Sequence, residues 1–136
     1  MLSPTAVTGV SDMIVTLQPA ETASLDKRRL AEIVARLGPR GADDLISRAM
    51  EELAVHLARA HKGYMRGHLC ELESAAGRVN ELAMRMGMPE LARVARDVRG
   101  LCRRSDGAAL AATVARLGRL GEISLMEIWD IQDLSG

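Results

Sequence analysis

Leu69, Leu72, Ala76, Val79, Ala83 and Met86 follow one another at spacings of three, four, three, four and three residues. That rhythm draws one apolar stripe along a helix, which must be laid against other helices to leave water. The stretch that carries it runs from His68 to Gly87. Similar stripes flank it on both sides, so the chain reads as all-α.

The composition agrees. There is one Trp, one Tyr and no Phe, so the core must be built from Leu, Val, Ile, Ala and Met. Leu, Ala, Met, Arg and Glu lose little side-chain freedom in a helix. A chain of 136 residues makes one domain with a core of its own. The 18 basic residues are matched by 18 acidic ones. That balance excludes a dedicated nucleic-acid binder, which carries a basic excess, and the lack of aromatics excludes base-stacking platforms. Cys70 and Cys102 fall inside expected helices and read as small hydrophobes. No basic start leads into an apolar run, as a signal peptide would require. No apolar stretch approaches the roughly 20 residues that span a bilayer. The expected location is cytoplasmic, with no membrane partner.

Residues 1–24, broken by Pro4, Gly9 and Pro19, read as an extended segment with a short β-prone run from Met13 to Leu17. A first helix is expected from about Leu25 to Leu37, capped by Ser24, with Leu30, Ile33, Val34 and Leu37 on its apolar face. Gly38, Pro39 and Gly41 end it. A second helix starts near Ala42, with Asp43 and Asp44 at its positive end. Its stripe is Ile46, Met50 or Ala49, Leu53, Leu57 and Ala60. It is expected to weaken between His61 and Gly67, because two glycines stand four residues apart. The central helix, His68 to Met86, stops at Gly87, and Pro89 fits the first turn of the next. That helix uses Leu91, Val94, Val98 and Leu101. Ser105 and Asp106 cap a last bundle helix bearing Leu110, Val114, Leu117 and Leu120. From Gly121 on, Leu125, Ile128 and Trp129 suit an amphipathic helix, with a strand as the weaker reading. The resulting division is an N-terminal segment (1–24), a helical bundle (25–121) and a tail (122–136). The tail's apolar surface is expected to pack on the bundle or on a partner. The architecture is an antiparallel four-helix bundle with a short leading helix.

The stretch Ala76-Gly77-Arg78-Val79-Asn80-Glu81-Leu82-Ala83-Met84-Arg85-Met86-Gly87 lies on the pattern Ala-His-x-Leu-Lys-Gly-x-Ala-x-x-x-Gly. Leu91 and Ala95 continue the match, the polar turn falls at Ser105-Asp106-Gly107, and Ala109-Leu110 begin the closing helix. From about residue 25 to 125 the chain therefore resembles the histidine phosphotransfer (HPt) domain of bacterial phosphorelays. The resemblance places the phosphorylatable histidine at Gly77, the lysine that steadies the phosphoryl group at Asn80, and the glycine that lets a receiver domain approach at Glu81. All three chemical positions differ. The resemblance thus implies a degenerate member without the phosphoacceptor. It implies partners of two kinds, a receiver-domain response regulator or a histidine kinase.

The binding surface expected on this frame is Glu73, Gly77, Arg78, Asn80, Glu81 and Arg85. Glu73 and Glu81 lie one turn either side of Gly77 and would repel a phosphoryl group, while Arg78 and Arg85 offset them. A displaced phosphoacceptor would be His68, at the start of the central helix, or His61, seven residues earlier. His56, His61 and His68 otherwise read as surface histidines; a zinc site needs three or four converging ligands, and no metal or cofactor is expected. Arg93, Arg96, Arg99, Arg103 and Arg104 make one helix basic. They read either as a solvent face or as a docking surface for an acidic partner. Three functions remain open: a non-catalytic regulatory module of a two-component phosphorelay, an active phosphotransferase using His68 or His61, and a structural protein that oligomerises through its helices. A homodimer would use residues 10–18 and 122–134.

Overall fold

The computed structural model describes residues 25–135. Four helices follow in order: α1 (Lys27–Met65), α2 (Leu69–Arg85), α3 (Pro89–Leu101) and α4 (Gly107–Ser135). There is no strand among the described residues, so the tail is helical. The Met13–Leu17 run, the Ser24 cap and the 10–18 dimer contact lie outside the described residues.

Each helix packs on two others. α1 lies against α2 and α4, and α3 against the same two, whereas the pairs α1/α3 and α2/α4 do not approach closely. The core between them is aliphatic. It takes Ala42, Met50 and Leu53 from α1, Leu72, Ala76 and Val79 from α2, Leu91, Val94 and Val98 from α3, and Leu117, Leu120 and Ile128 from α4. Each large aliphatic side chain buried this way contributes about 1.5–3 kcal/mol. Four residues of the sequence stripes stay out: Leu69 is 43%, Val34 41%, Leu37 47% and Trp129 53% exposed. Leu69 stands in the first turn of α2, and Leu37 immediately precedes the break in α1.

That break is a single residue. Gly38 has φ 78° and ψ 167°, a non-helical conformation inside α1, and left-handed φ is where glycine carries no steric penalty. Helical geometry resumes at once at Pro39 rather than near Ala42, because proline fits a first helical turn. α1 is therefore two arms, 27–37 and 39–65. The cap of the first arm is Asp26, whose Oδ1 accepts from the Arg28 amide at 3.0 Å. The amide of Asp26 itself donates to the Gly87 carbonyl at 2.7 Å, which fixes the chain two residues later than the sequence suggests.

The second arm also does not weaken at Gly63. A Cβ there would stand 3.1 Å from the Leu72 amide nitrogen, so the glycine lets α2 approach and the helix runs to Met65. The turn comes at Gly67 (φ 71°), and a matching one at Gly87 (φ 74°) separates α2 from α3. In both, the amide after the glycine reaches back to close the helix: His68 donates to Gly63 at 2.8 Å and Met88 to Ala83 at 2.9 Å. Asp106 Oδ1 accepts from the Ala109 amide at 3.0 Å and starts α4.

α4 crosses residue 121 without a break. Gly121 faces Leu57 so closely that a Cβ would overlap its methyls. Beyond it Ile128 is in the core, and Gln132 Nε2 donates to Asp43 Oδ1 at 2.9 Å and Ser47 Oγ at 3.2 Å. Residues 122–133 thus pack on the bundle, while Met126 and Trp129 remain exposed. Among the described residues no helix is long and apolar enough to cross a membrane.

Candidate functional site

Helical spacing sets three polar stripes facing one another. Glu73, Gly77 and Glu81 lie four apart on α2, Arg99 stands in the last turn of α3 with Arg103 in the turn just beyond it, and Glu52, His56 and Arg59 lie at four and three on α1. Between the helices lies an open groove of about 720 Å³, lined by charged side chains from all three.

Most of its charges are paired. Arg103 holds Glu73 through Nε at 2.8 Å and Nη2 at 2.7 Å. Arg78 bridges two carboxylates, Glu52 at 2.8 Å and Glu81 at 3.2 Å. Hydrogen bonding from Arg78 holds the Glu52 carboxyl below its usual range, and the two carboxylates raise the Arg78 guanidinium in return. Arg59 donates to Glu71 through Nε and Nη2 and lowers its pKa in the same way. These pairs are solvent-exposed, so each is worth little by itself.

Arg99 differs. Its Nε, Cδ and Cζ lie 3.3, 3.4 and 3.6 Å from the point where a Cβ would stand on Gly77. The guanidinium therefore rests across the bare backbone of α2. It makes no ion pair or hydrogen bond among the described residues.

His56 is held by Arg59, whose Nη1 sits 3.0 Å from Nδ1. A guanidinium only donates, so Nδ1 accepts and the ring proton is on Nε2. Burial, followed by the charges of Arg59 and Arg78, pushes the imidazole below its ordinary pKa. This histidine is neutral at pH 7 and offers the groove an N–H rather than a nucleophilic nitrogen. Burial likewise raises the Cys102 thiol, with Glu73 and Cys70 adding to it.

Of the six residues the sequence assigns to a binding surface, Glu73, Gly77, Arg78 and Glu81 converge here. Asn80 does not line the groove, and its Oδ1 is buried without a hydrogen-bond partner. Arg85 belongs to a smaller apolar groove with Leu37, Leu45 and Met86, and its carbonyl accepts from Arg29 Nε at 2.9 Å. His68 lies beside Arg59, Lys62 and Arg66, whereas His61 lies with Tyr64 against α4. The break at Gly67 puts the two histidines on separate faces, and neither lines the Gly77 groove. The sequence reading passed over His56 and Arg59 as site residues and left Arg99 in a general basic stripe. No spacing within α3 signals that Arg99 faces Gly77, since that depends on how the helices are laid together. Among the described residues no group of three or more His, Cys, Asp or Glu side chains is placed to hold a metal ion.

Set against protein-family models, curated proteins and solved structures, the chain matches none.

Proposed function

We propose that the chain is an HPt-like signalling protein of a bacterial two-component phosphorelay, antiparallel in its bundle, cytoplasmic, and non-catalytic. It binds a receiver-domain response regulator or a histidine kinase through the groove above Gly77 and regulates that partner without carrying phosphate. The observation that supports this most is the groove itself. Where the family pattern has its histidine, the chain has an accessible glycine with an arginine across it that has no partner among the described residues. A surface of that charge complements an acidic partner. The four helices, each packed on two others and joined by short turns, are compatible with the frame. Neither His61 nor His68 shares the groove, so no phosphoacceptor role is assigned to them.

The test is titration of the full chain against the purified receiver domains and histidine kinases of its own genome. Binding to at least one, weakened when Arg103→Glu reverses a groove charge, supports the reading. Absence of binding to all of them ends it. A second reading, a helical oligomer, is favoured by the exposure of Met126 and Trp129 on α4. It expects a concentration-dependent mass in light scattering that Trp129→Glu abolishes.

A further inference from the structure

We infer that the Gly77 groove binds a small phosphorylated, hydroxyl-rich molecule of the sugar-phosphate class, with the phosphate on Arg99. The inference shares its location with the docking reading and does not depend on it. Three features carry it.

First, Arg99 is a fork of donors with no acceptor among the described residues. Its neighbours Arg59, Arg78 and Arg103 are each taken by a glutamate. A planar guanidinium matches two oxygens of a phosphate at once. The absence of a side chain at Gly77 is what allows it to lie against α2.

Second, two uncharged groups of the lining, His56 and Ser74, also offer donors. Arg59 fixes the His56 ring proton on Nε2, and the Ser74 hydroxyl has no hydrogen-bond partner among the described residues. Donors lacking acceptors call for an oxyanion.

Third, the space is far larger than a phosphate ion. A groove of about 720 Å³ falls in the range of small-molecule sites. Its lining is polar, with Glu73, Ser74 and His56 available to hydroxyls and no large apolar side chain. That excludes a lipid tail or an aromatic ring as the remainder of the ligand. Glu81, which shares Arg78 with Glu52, is the least neutralised carboxylate present and opposes the phosphate.

The experiment uses the full chain and nuclear magnetic resonance titration, observing backbone amides and the arginine Nε–H signals. The probes are glucose 6-phosphate, ribose 5-phosphate, glucose and inorganic phosphate, up to millimolar concentration. The expected result is saturable shifts at Gly77, Ser74 and Arg99 with the sugar phosphates, weaker shifts with inorganic phosphate, and none with glucose. Arg99→Ala should weaken binding about tenfold or more, the range of a lost charge-assisted contact. Arg99→Lys, which keeps charge without the fork, should fall between, and Glu81→Gln should tighten binding. Arg99 is exposed, so both variants are expected to fold, and their unperturbed spectra verify it. Equal response to glucose, indifference to Arg99→Ala, or no shift at Gly77 with any probe overturns the inference. A chain that binds sugar phosphate through Arg99 but no receiver domain or kinase keeps this site and loses the docking reading, and the converse result separates them the other way.

Discussion

The turns at either end of α2 are built alike and serve differently. At Gly67 and at Gly87 a glycine in the left-handed region ends a helix, and the amide after it reaches back to a carbonyl five residues earlier. Around Gly67 there is nothing within 4 Å of the position a Cβ would take. Around Gly87 the same position lies 2.8 Å from the Asp26 carbonyl and 2.9 Å from Arg29 Cβ, because the first arm of α1 is laid over the turn. Its amide at Asp26 and its guanidinium at Arg29 both bond to that turn. One turn only reverses the chain. The other is also the seat on which the first arm rests, and the difference is tertiary, not local.

The largest expected effect follows from that contrast. A non-glycine residue in the left-handed region costs about 1–2 kcal/mol, and this should be the whole effect of Gly67→Ala. Gly87→Ala adds overlap with backbone atoms that cannot rotate away, a further penalty of about 1–3 kcal/mol. Urea denaturation of the two variants should therefore rank Gly87→Ala clearly below Gly67→Ala. Equal losses would mean that the first arm lifts off freely and is no part of the fold.

Asp26→Ala probes the same seat more gently. It removes the side-chain cap on the Arg28 amide and leaves the backbone bond to Gly87. The loss expected of a missing N-cap is about 1 kcal/mol. A much larger loss would show that the carboxylate, not the backbone bond, anchors the arm.

The two turns also mark how far the sequence could be read. Gly87 followed by Pro89 announces a helix end and a helix start by local chemistry alone, and both are where the chain places them. So is the Asp106 cap. Ser24 and Asp26 are both good capping residues, and only the bond from Asp26 to Gly87, 61 residues away, selects the latter. Gly63 looks like a helix breaker until α2 packs against it. The helix continues past residue 121, where Gly121 and Ile128 find partners on the bundle. In the groove, helical spacing made the Glu73–Gly77–Glu81 line legible. That Arg99 would lie across it, or that Arg59 would orient His56, depends on how α1 and α3 flank α2, which no spacing within one helix records.

Acid should separate the two regions by sign. His56, on the groove side, has a folded pKa below its ordinary 6.5, chiefly through burial. The neutral ring is favoured in the fold, so its contribution is complete above 6.5 and is lost as pH falls through the lowered value. Glu127, near Lys27 at the start of the first arm, is shifted the other way. Burial raises it above 4.5, Asp130 adds to that, and Lys27 opposes. The fold therefore prefers its protonated form, and stability is gained as pH falls through the raised value towards 4.5. Melting curves from neutral pH downward should flatten below 6.5 in His56→Gln. In Glu127→Gln they should lose that compensating gain. If His56→Gln leaves the profile unchanged, the ring is not confined as the Arg59 contact implies.

Gly77→Ala should do least to the fold, which sets it furthest from Gly87→Ala although both glycines belong to the same helix and its cap. Gly77 has ordinary helical geometry, so alanine brings no strain. It brings up to about 1 kcal/mol of helix propensity instead. The atoms its methyl meets, at 3.3 to 3.6 Å, all belong to the flexible outer part of Arg99. Moving them costs a small part of that gain. Denaturation should thus find the variant equal to the parent or stabilised by less than about 1 kcal/mol, while the displaced guanidinium leaves its seat on α2 and sugar-phosphate affinity falls. A glycine that can be filled without harm to the fold, yet not without harm to the groove, serves the groove. Should Gly77→Ala instead destabilise as Gly87→Ala does, the groove would be part of the scaffold, and Arg99 a packing residue held by it.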